Sequence, residues 1–206
     1  HYHAGLHLAR KNGLKLLLPS FLANLGLVEF DTGNLARAKT ALSRAFSLYK
    51  SQNNQWNASV TGMGLGKLFL KMGYFFKAIK IFREVLVMRE EKKNFSGIYE
   101  IYSLLAWICE LLGKTAAART WLSNAEQLRR SCRLEPRACH VGDSLRAMSD
   151  VYNLRYLEAE VHYRRMLDEA LQQEAAVVKT VDLQYGLASV MAFQGRENEA
   201  FEYFLQ

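Results

Sequence analysis

Proline occurs only twice in this 206-residue chain, and cysteine only three times. Scarce proline removes the commonest helix breaker, and with leucine and alanine abundant the composition points to an all-α fold. Cys109 lies in an apolar run, while Cys132 and Cys139 flank an expected turn, and no C-x-x-C pair occurs. That pattern excludes a disulfide framework and a zinc knuckle, and it fits a reducing, cytoplasmic compartment. No apolar run approaches the roughly 20 residues of a membrane span. The longest stretch, "IYSLLAWICELLG", is interrupted by Glu110 and ended by Gly113. The phosphate-cradling, nucleophile-elbow and zinc-protease signatures are also missing. The chain begins with histidine and stops in mid-pattern at "FEYFLQ". We therefore read it as a piece of a longer protein, whose leader, if any, would not be visible.

Charge is present but diffuse. Lys and Arg number 27 against 20 Asp and Glu, a net charge of +7, with short basic clusters at Lys92–Lys93, Arg129–Arg130 and Arg164–Arg165. A basic balance admits nucleic acid as a partner. Scattered cations without a continuous run fit solvated helix faces better.

What the sequence does contain is a period. Gly33, Gly73 and Gly113 fall 40 residues apart, and Gly195 lies 82 further on. Leu25-Gly26 recurs as Leu65-Gly66 and Leu105-Ala106, and Ala38 recurs as Ala78 and Ala118. Leu42, Phe82 and Leu122 keep the same step, as do Leu8, Leu48, Met88 and Leu128. Around each glycine, apolar residues recur at helical spacing, as in Leu65, Leu68, Phe69, Met72 and then Ala78, Phe82, Val85, Leu86. Each unit is thus a helix–turn–helix that hides its apolar stripe only by stacking on neighbours.

The spacing predicts about eleven helices: one over 1–12, then pairs at 15–32/35–51, 55–72/75–92, 95–112/115–132, 137–152/156–174 and 177–194/197–206. The corresponding repeats are 15–54, 55–94, 95–135, 136–176 and a truncated 177–206, within a single repeat domain over 1–206 whose first residues end a preceding repeat. The turn glycines supply the left-handed residue that closes a helix. Gly26, Gly66, Ala106 and Ala188 should let a second helix approach closely. The fourth unit is the least regular. It is aligned by matching Ala159 to Ala118 with one inserted residue, has Arg146-Ala147 in place of Leu-Gly, and has Asn153 as its expected left-handed residue. Pro19 and Pro136 should mark helix starts.

These residues resemble the tetratricopeptide repeat (TPR) family. The first unit reads Leu22, Leu25-Gly26, Gly33, Ala38, Leu42, Ala45, and the fifth reads Leu187-Ala188, Gly195, Ala200, Phe204. A ~40-residue unit is similar to the long repeats of kinesin light chains and of bacterial signalling arrays. The resemblance implies a right-handed α-solenoid of stacked antiparallel helix pairs. It also implies a concave groove lined by the first helix of each pair.

Carried over from the family, the groove positions are Asn24 and Leu27 in the first unit, Met63 and Lys67 in the second, Glu100, Ser103 and Trp107 in the third, and Tyr185 in the fifth. An asparagine before Leu-Gly contacts ligand backbone in peptide-binding members. Here Gly64 and Leu104 take that position in the next units, so no asparagine ladder exists. Trp107 suits an apolar anchor and Lys67 an acidic group. His1, His3 and His7 read as surface or tag residues in preference to a metal site, and Cys139-His140 lacks any catalytic context.

The expected function is that of a non-enzymatic interaction module without cofactor. It would hold a protein, a peptide or another domain of its parent chain, within a larger regulatory or signalling protein. A nucleic-acid-binding solenoid and a structural or oligomerisation spacer are the alternatives.

Overall fold

The computed structural model describes residues 16–134, 136–172 and 177–205, with the side chains of 136–141, 177–179 and 204–205 not described. The helix expected at 1–12, with His1, His3 and His7, lies outside the described residues, and so do the side chains of Cys139 and His140.

Ten helices and no strand occur among the described residues. They are α1 (Leu18–Asp31), α2 (Leu35–Ser51), α3 (Gln55–Lys71), α4 (Phe75–Glu91), α5 (Phe95–Leu111), α6 (Thr115–Ser131), α7 (Pro136–Tyr152), α8 (Tyr156–Gln172), α9 (Val177–Phe193) and α10 (Glu197–Leu205). The sequence-based boundaries agree with these within three residues, and Pro136 opens α7 as expected. The chain forms two compact units, 1–94 and 95–206, and the division falls at a repeat boundary. In the first unit α1 packs on α2, α2 on α3 and α3 on α4. In the second, α5 packs on α6 and α7, α7 on α8, α8 on α9 and α9 on α10. Each unit is a stack of helix pairs, an all-α solenoid arrangement.

Every pair is closed in the same way. Gly33 adopts φ 83°, its N–H bonds the Phe30 carbonyl, and the Asn34 N–H reaches back to Glu29 at 2.7 Å. That double bond is the Schellman closure, and it recurs at Gly73, Gly113 and Gly195. In the fourth repeat the left-handed residue is Leu154 (φ 59°), not Asn153 as the sequence suggested. Leu154 lies 41 residues after Gly113 and 41 before Gly195, so the inserted residue precedes the turn instead of following it. The Arg155 N–H bonds the Asp150 carbonyl at 2.8 Å, so the closure forms even without glycine. The connections between repeats use the same closure at Asn53, Lys93 and Arg133, all at positive φ. Those residues carry no glycine signature, and the sequence did not reveal them.

The small residues act where the helices meet. A Cβ on Gly66 would stand 2.4 Å from the Phe82 ring, and one on Gly26 would stand 2.6 Å from Leu42 Cγ. Leu42 and Phe82 are fully buried, as are Ala38, Ala78, Ala147, Ala159 and Ala188. In the first two pairs the second helix thus drives a knob onto the bare backbone of the first.

Two predictions follow from this geometry. Gly66→Ala should lower stability by about 1–3 kcal/mol through crowding of Phe82, despite alanine's better helix propensity. Adding Phe82→Leu should recover part of the loss, because the third repeat has Ala106 and Leu122 at the corresponding positions; urea denaturation of both variants checks this. Leu154→Gly should relieve the strain of a side chain at positive φ and raise the thermal midpoint by roughly 2 °C.

Candidate functional site

Along α9, Asp182, Tyr185, Ser189 and Phe193 recur at three- and four-residue steps and so share one face. Tyr185 is 65% and Phe193 60% exposed, unusual for aromatic rings on a packed helix. They face Trp107 of α5, Met148, Val151 and Tyr152 of α7, and Tyr163 of α8 across an open cleft of about 440 Å³. The Trp107 and Tyr152 rings meet edge to face at 80°, with centroids 5.6 Å apart, and form a corner. Phe193 stacks on Tyr156 at 5.5 Å, which fixes the far end. Gly186 provides the floor: a Cβ there would lie 2.4 Å from the Tyr163 ring, so only glycine lets that ring lie against α9. Burial pushes the Tyr163 hydroxyl up in pKa and keeps it protonated. The Ser189 hydroxyl is occupied by a bond to the Tyr185 carbonyl at 2.8 Å. Among the described side chains Asp182 is the one charged group that lines the cleft, and no cation does.

A buried ionic framework sets the spacing of these walls. Asp143 of α7 is 1% exposed; it accepts from the Tyr99 hydroxyl at 2.7 Å and from Arg129 at 3.2 and 3.3 Å, and Arg165 lies 3.3 Å away. Two guanidiniums and a phenol offset the cost of burying that carboxylate. The Ser149 hydroxyl bonds buried Glu110, and Arg155 bridges to Asp150 at 2.6 Å. Together these bonds pin α7 to α5, α6 and α8, and so hold Met148 and Tyr152 opposite Trp107.

Two further carboxylates join neighbouring elements. Burial opposes ionisation of Glu126, but bonds from Arg130 and Arg146 together outweigh it and hold the carboxyl below its usual range. Glu160 behaves alike: burial is outweighed by Arg164, Arg196 and Gln194, with Arg196 at 2.7 Å linking α8 to α10. His162 of α8 is driven the other way. Burial lowers its pKa in spite of Asp150 at 3.9 Å, and its Nδ1 is enclosed without a bonding partner.

Of the residues named from sequence, Trp107 and Tyr185 come together in the cleft, with Asp182, Gly186 and Ser189 from the same helix as Tyr185. Glu100 is half-buried two turns before Trp107. Ser103 is only 4% exposed and its hydroxyl donates to the Tyr99 carbonyl at 3.0 Å, so it serves the interior. In the first unit Asn24 is exposed and Lys67 half-buried. Leu27 covers the bare backbone of Gly64, where a Cβ would stand 3.1 Å away. Met63, expected on the groove, is 6% exposed and is a packing residue. Sequence reading missed Met148, Tyr152, Tyr163 and Phe193. Once the 41-residue step is fixed by Leu154, Trp107 maps to Met148, and Tyr152 maps to Phe193. That arithmetic would have found Met148 from Trp107 and tied Phe193 to Tyr152, whereas nothing in the repeat pattern marks Tyr152 or Tyr163.

Among the described side chains no group of His, Cys, Asp and Glu is placed to hold a metal ion, and no helix is long and apolar enough to cross a membrane.

The His162 environment predicts a specific pH response. Its folded pKa lies below the ordinary 6.5, so the unfolded chain binds the proton first as pH falls. Stability is therefore complete above about pH 6.5 and declines as pH drops through the folded pKa. The urea midpoint should fall between about pH 7 and pH 5.5, and His162→Gln should flatten that interval. An unchanged slope in the variant would contradict the assignment.

No protein-family model matches the chain, and no curated protein matches it. Solved structures do. A putative kinesin light chain from Podospora anserina with nearly identical TPR-like repeats superimposes with TM-score 0.64 at 14% identity, over 93% of this chain and 92% of that one. BtubC from P. vanneervenii gives TM-score 0.66 at 16% identity, over 98% and 83%. Aspartyl phosphate phosphatase F from Bacillus subtilis gives 0.65 at 16% identity, over 93% of this chain and 48% of that one. Identities so low speak to architecture alone, and the architecture agrees with the repeat read from the residues. The chain has the TPR-like helical-repeat fold.

Proposed function

We propose that this chain is a non-enzymatic protein-interaction module, and that the cleft between α5, α7, α8 and α9 receives an apolar or aromatic anchor of a peptide or helical segment. Helical-repeat solenoids present extended binding surfaces as a class. The observation that carries the reading is the cleft itself: Tyr152, Tyr185 and Phe193 hold large ring surfaces open to solvent, beside half-buried Trp107, around a preformed cavity of about 440 Å³. Binding hot spots are enriched in such residues, and a cavity of this size suits one or two anchoring side chains. Asn24 and Leu27, with Lys67 and Glu100, remain candidates for secondary contacts, and a role within a larger regulatory protein fits a surface without catalytic groups.

Nucleic acid is the less favoured partner. In the second unit Arg129, Arg130, Arg146, Arg155, Arg164 and Arg196 are all committed to carboxylates. Such pairs leave little free charge in that unit, where the cleft lies, to displace counterions from a phosphate backbone.

The test is selection of peptide ligands from a random displayed library against the whole chain, followed by affinity measurement on variants. Tyr152→Ala with Tyr185→Ala should weaken the selected peptides by about tenfold or more, in line with loss of hot-spot rings. Far-ultraviolet circular dichroism should stay unchanged. Selected peptides indifferent to both changes would sink the proposal.

A further inference from the structure

We infer that the cleft is selective for a cationic side chain, and that its occupant is a lysine- or arginine-bearing segment of a partner protein. This inference rests on the proposed interaction function and specifies its chemistry. Three features carry it.

The first is the lining. Five aromatic residues, Trp107, Tyr152, Tyr163, Tyr185 and Phe193, contribute to one cavity. An aromatic face carries negative potential, and rings set around a site attract a cation held on an apolar stem. The perpendicular Trp107–Tyr152 pair supplies two differently oriented surfaces at one corner of the cleft, an arrangement that surrounds a guest better than parallel rings would.

The second is charge. The chain as a whole is +7, yet among the described side chains no lysine or arginine lines the cleft and Asp182 is the one carboxylate that does. Among the described side chains, no ion pair or hydrogen bond engages the Asp182 carboxylate. By contrast the carboxylates of Asp143, Asp150, Glu126 and Glu160, all in the same unit, are each bound to arginine. An unengaged acid beside aromatic rings complements a guest with a positive head and a methylene stem, the form of lysine and arginine side chains.

The third is polarity. The Ser189 hydroxyl is spent on the Tyr185 carbonyl and the Tyr163 hydroxyl stays protonated, so neither offers a competing negative charge or an anion-binding donor pair. A purely apolar guest would use the rings but leave Asp182 without a partner. An acidic guest would face it directly and be repelled.

The experiment uses two capped five-residue peptides that differ only at the centre, one with lysine flanked by leucines and the other with norleucine in its place. Binding is read from the indole N–H resonance of Trp107 in ¹H–¹⁵N spectra of the full chain, assigned through its loss in Trp107→Phe. Measurements are made in a Lys179→Gln background, which removes the lysine nearest Asp182 in sequence on its N-terminal side. The lysine peptide should shift the resonance saturably and bind at least about fivefold tighter than the norleucine peptide, within the range of a desolvated cation–π contact. Asp182→Asn should reduce that difference, leaving the part that the rings supply, and raised salt should reduce it as well. Equal binding of the two peptides, or tighter binding of norleucine, overturns cation selectivity and leaves the apolar groove intact. Failure of both peptides to bind, while library-selected ligands still depend on Tyr152 and Tyr185, overturns the cation site in the same way.

Discussion

The structure depends on how closely two helices can approach where one of them has almost no side chain. Gly26 and Gly66 leave backbone bare, and Leu42 and Phe82 occupy the space a Cβ would need. The knob is Leu42 against Gly26 and Phe82 against Gly66, and the third repeat has Ala106 and Leu122 at the corresponding positions. This complementarity fixes the separation within a pair, and the Schellman turns that end α1 to α7 and α9 fix where those helices stop. Nearly every helix is consequently 17 residues long, and equal lengths let equivalent faces line up from repeat to repeat.

The two units share that framework but differ in what fills it. In the first unit the interlocking pieces are Leu42 over Gly26, Phe46 and Val85 over Gly62, and Phe82 over Gly66. In the second, Asp143, Glu110, Asp150 and Glu160 are drawn into the interior with arginine, tyrosine and serine partners. Removing one partner from such a group is more damaging than the group is stabilising, because it strands a charge away from water. The result is a rigid setting for α7, and rigidity there keeps the cleft open with its rings apart.

The fold was largely legible because repetition makes each position testable several times over. Gly33, Gly73 and Gly113 mark the turns, and alanines five residues later mark the close contacts. Legibility failed where repetition lapsed. Leu154 takes the left-handed position without a side chain suited to it, so Asn153 looked the better candidate, and the fourth repeat's register blurred with it. Asn53, Lys93 and Arg133 are left-handed for reasons of closure geometry and not of residue preference. Trp107 and Tyr185 were recognisable as facing the same way, but the cleft between them needs Tyr152 and Tyr163 from the blurred repeat. Met63 and Ser103 matched the expected face by position, whereas their burial depends on neighbours that no single helix specifies.

The ionic framework of the second unit also bears on how its repeats are ordered. Tyr99 belongs to the third repeat and Asp143 to the fourth; Glu126 and Arg146 span the same junction, and Glu160 with Arg196 spans the next. Each junction therefore carries its own complementary pair of charges, unlike the interchangeable apolar knobs within pairs. A repeat transplanted from elsewhere in the solenoid would match the helix lengths and the turns, yet bring no counter-charge to the junction. The sequence of repeats is thus encoded at the joints: identical bricks would stack in any order, but these are keyed to one.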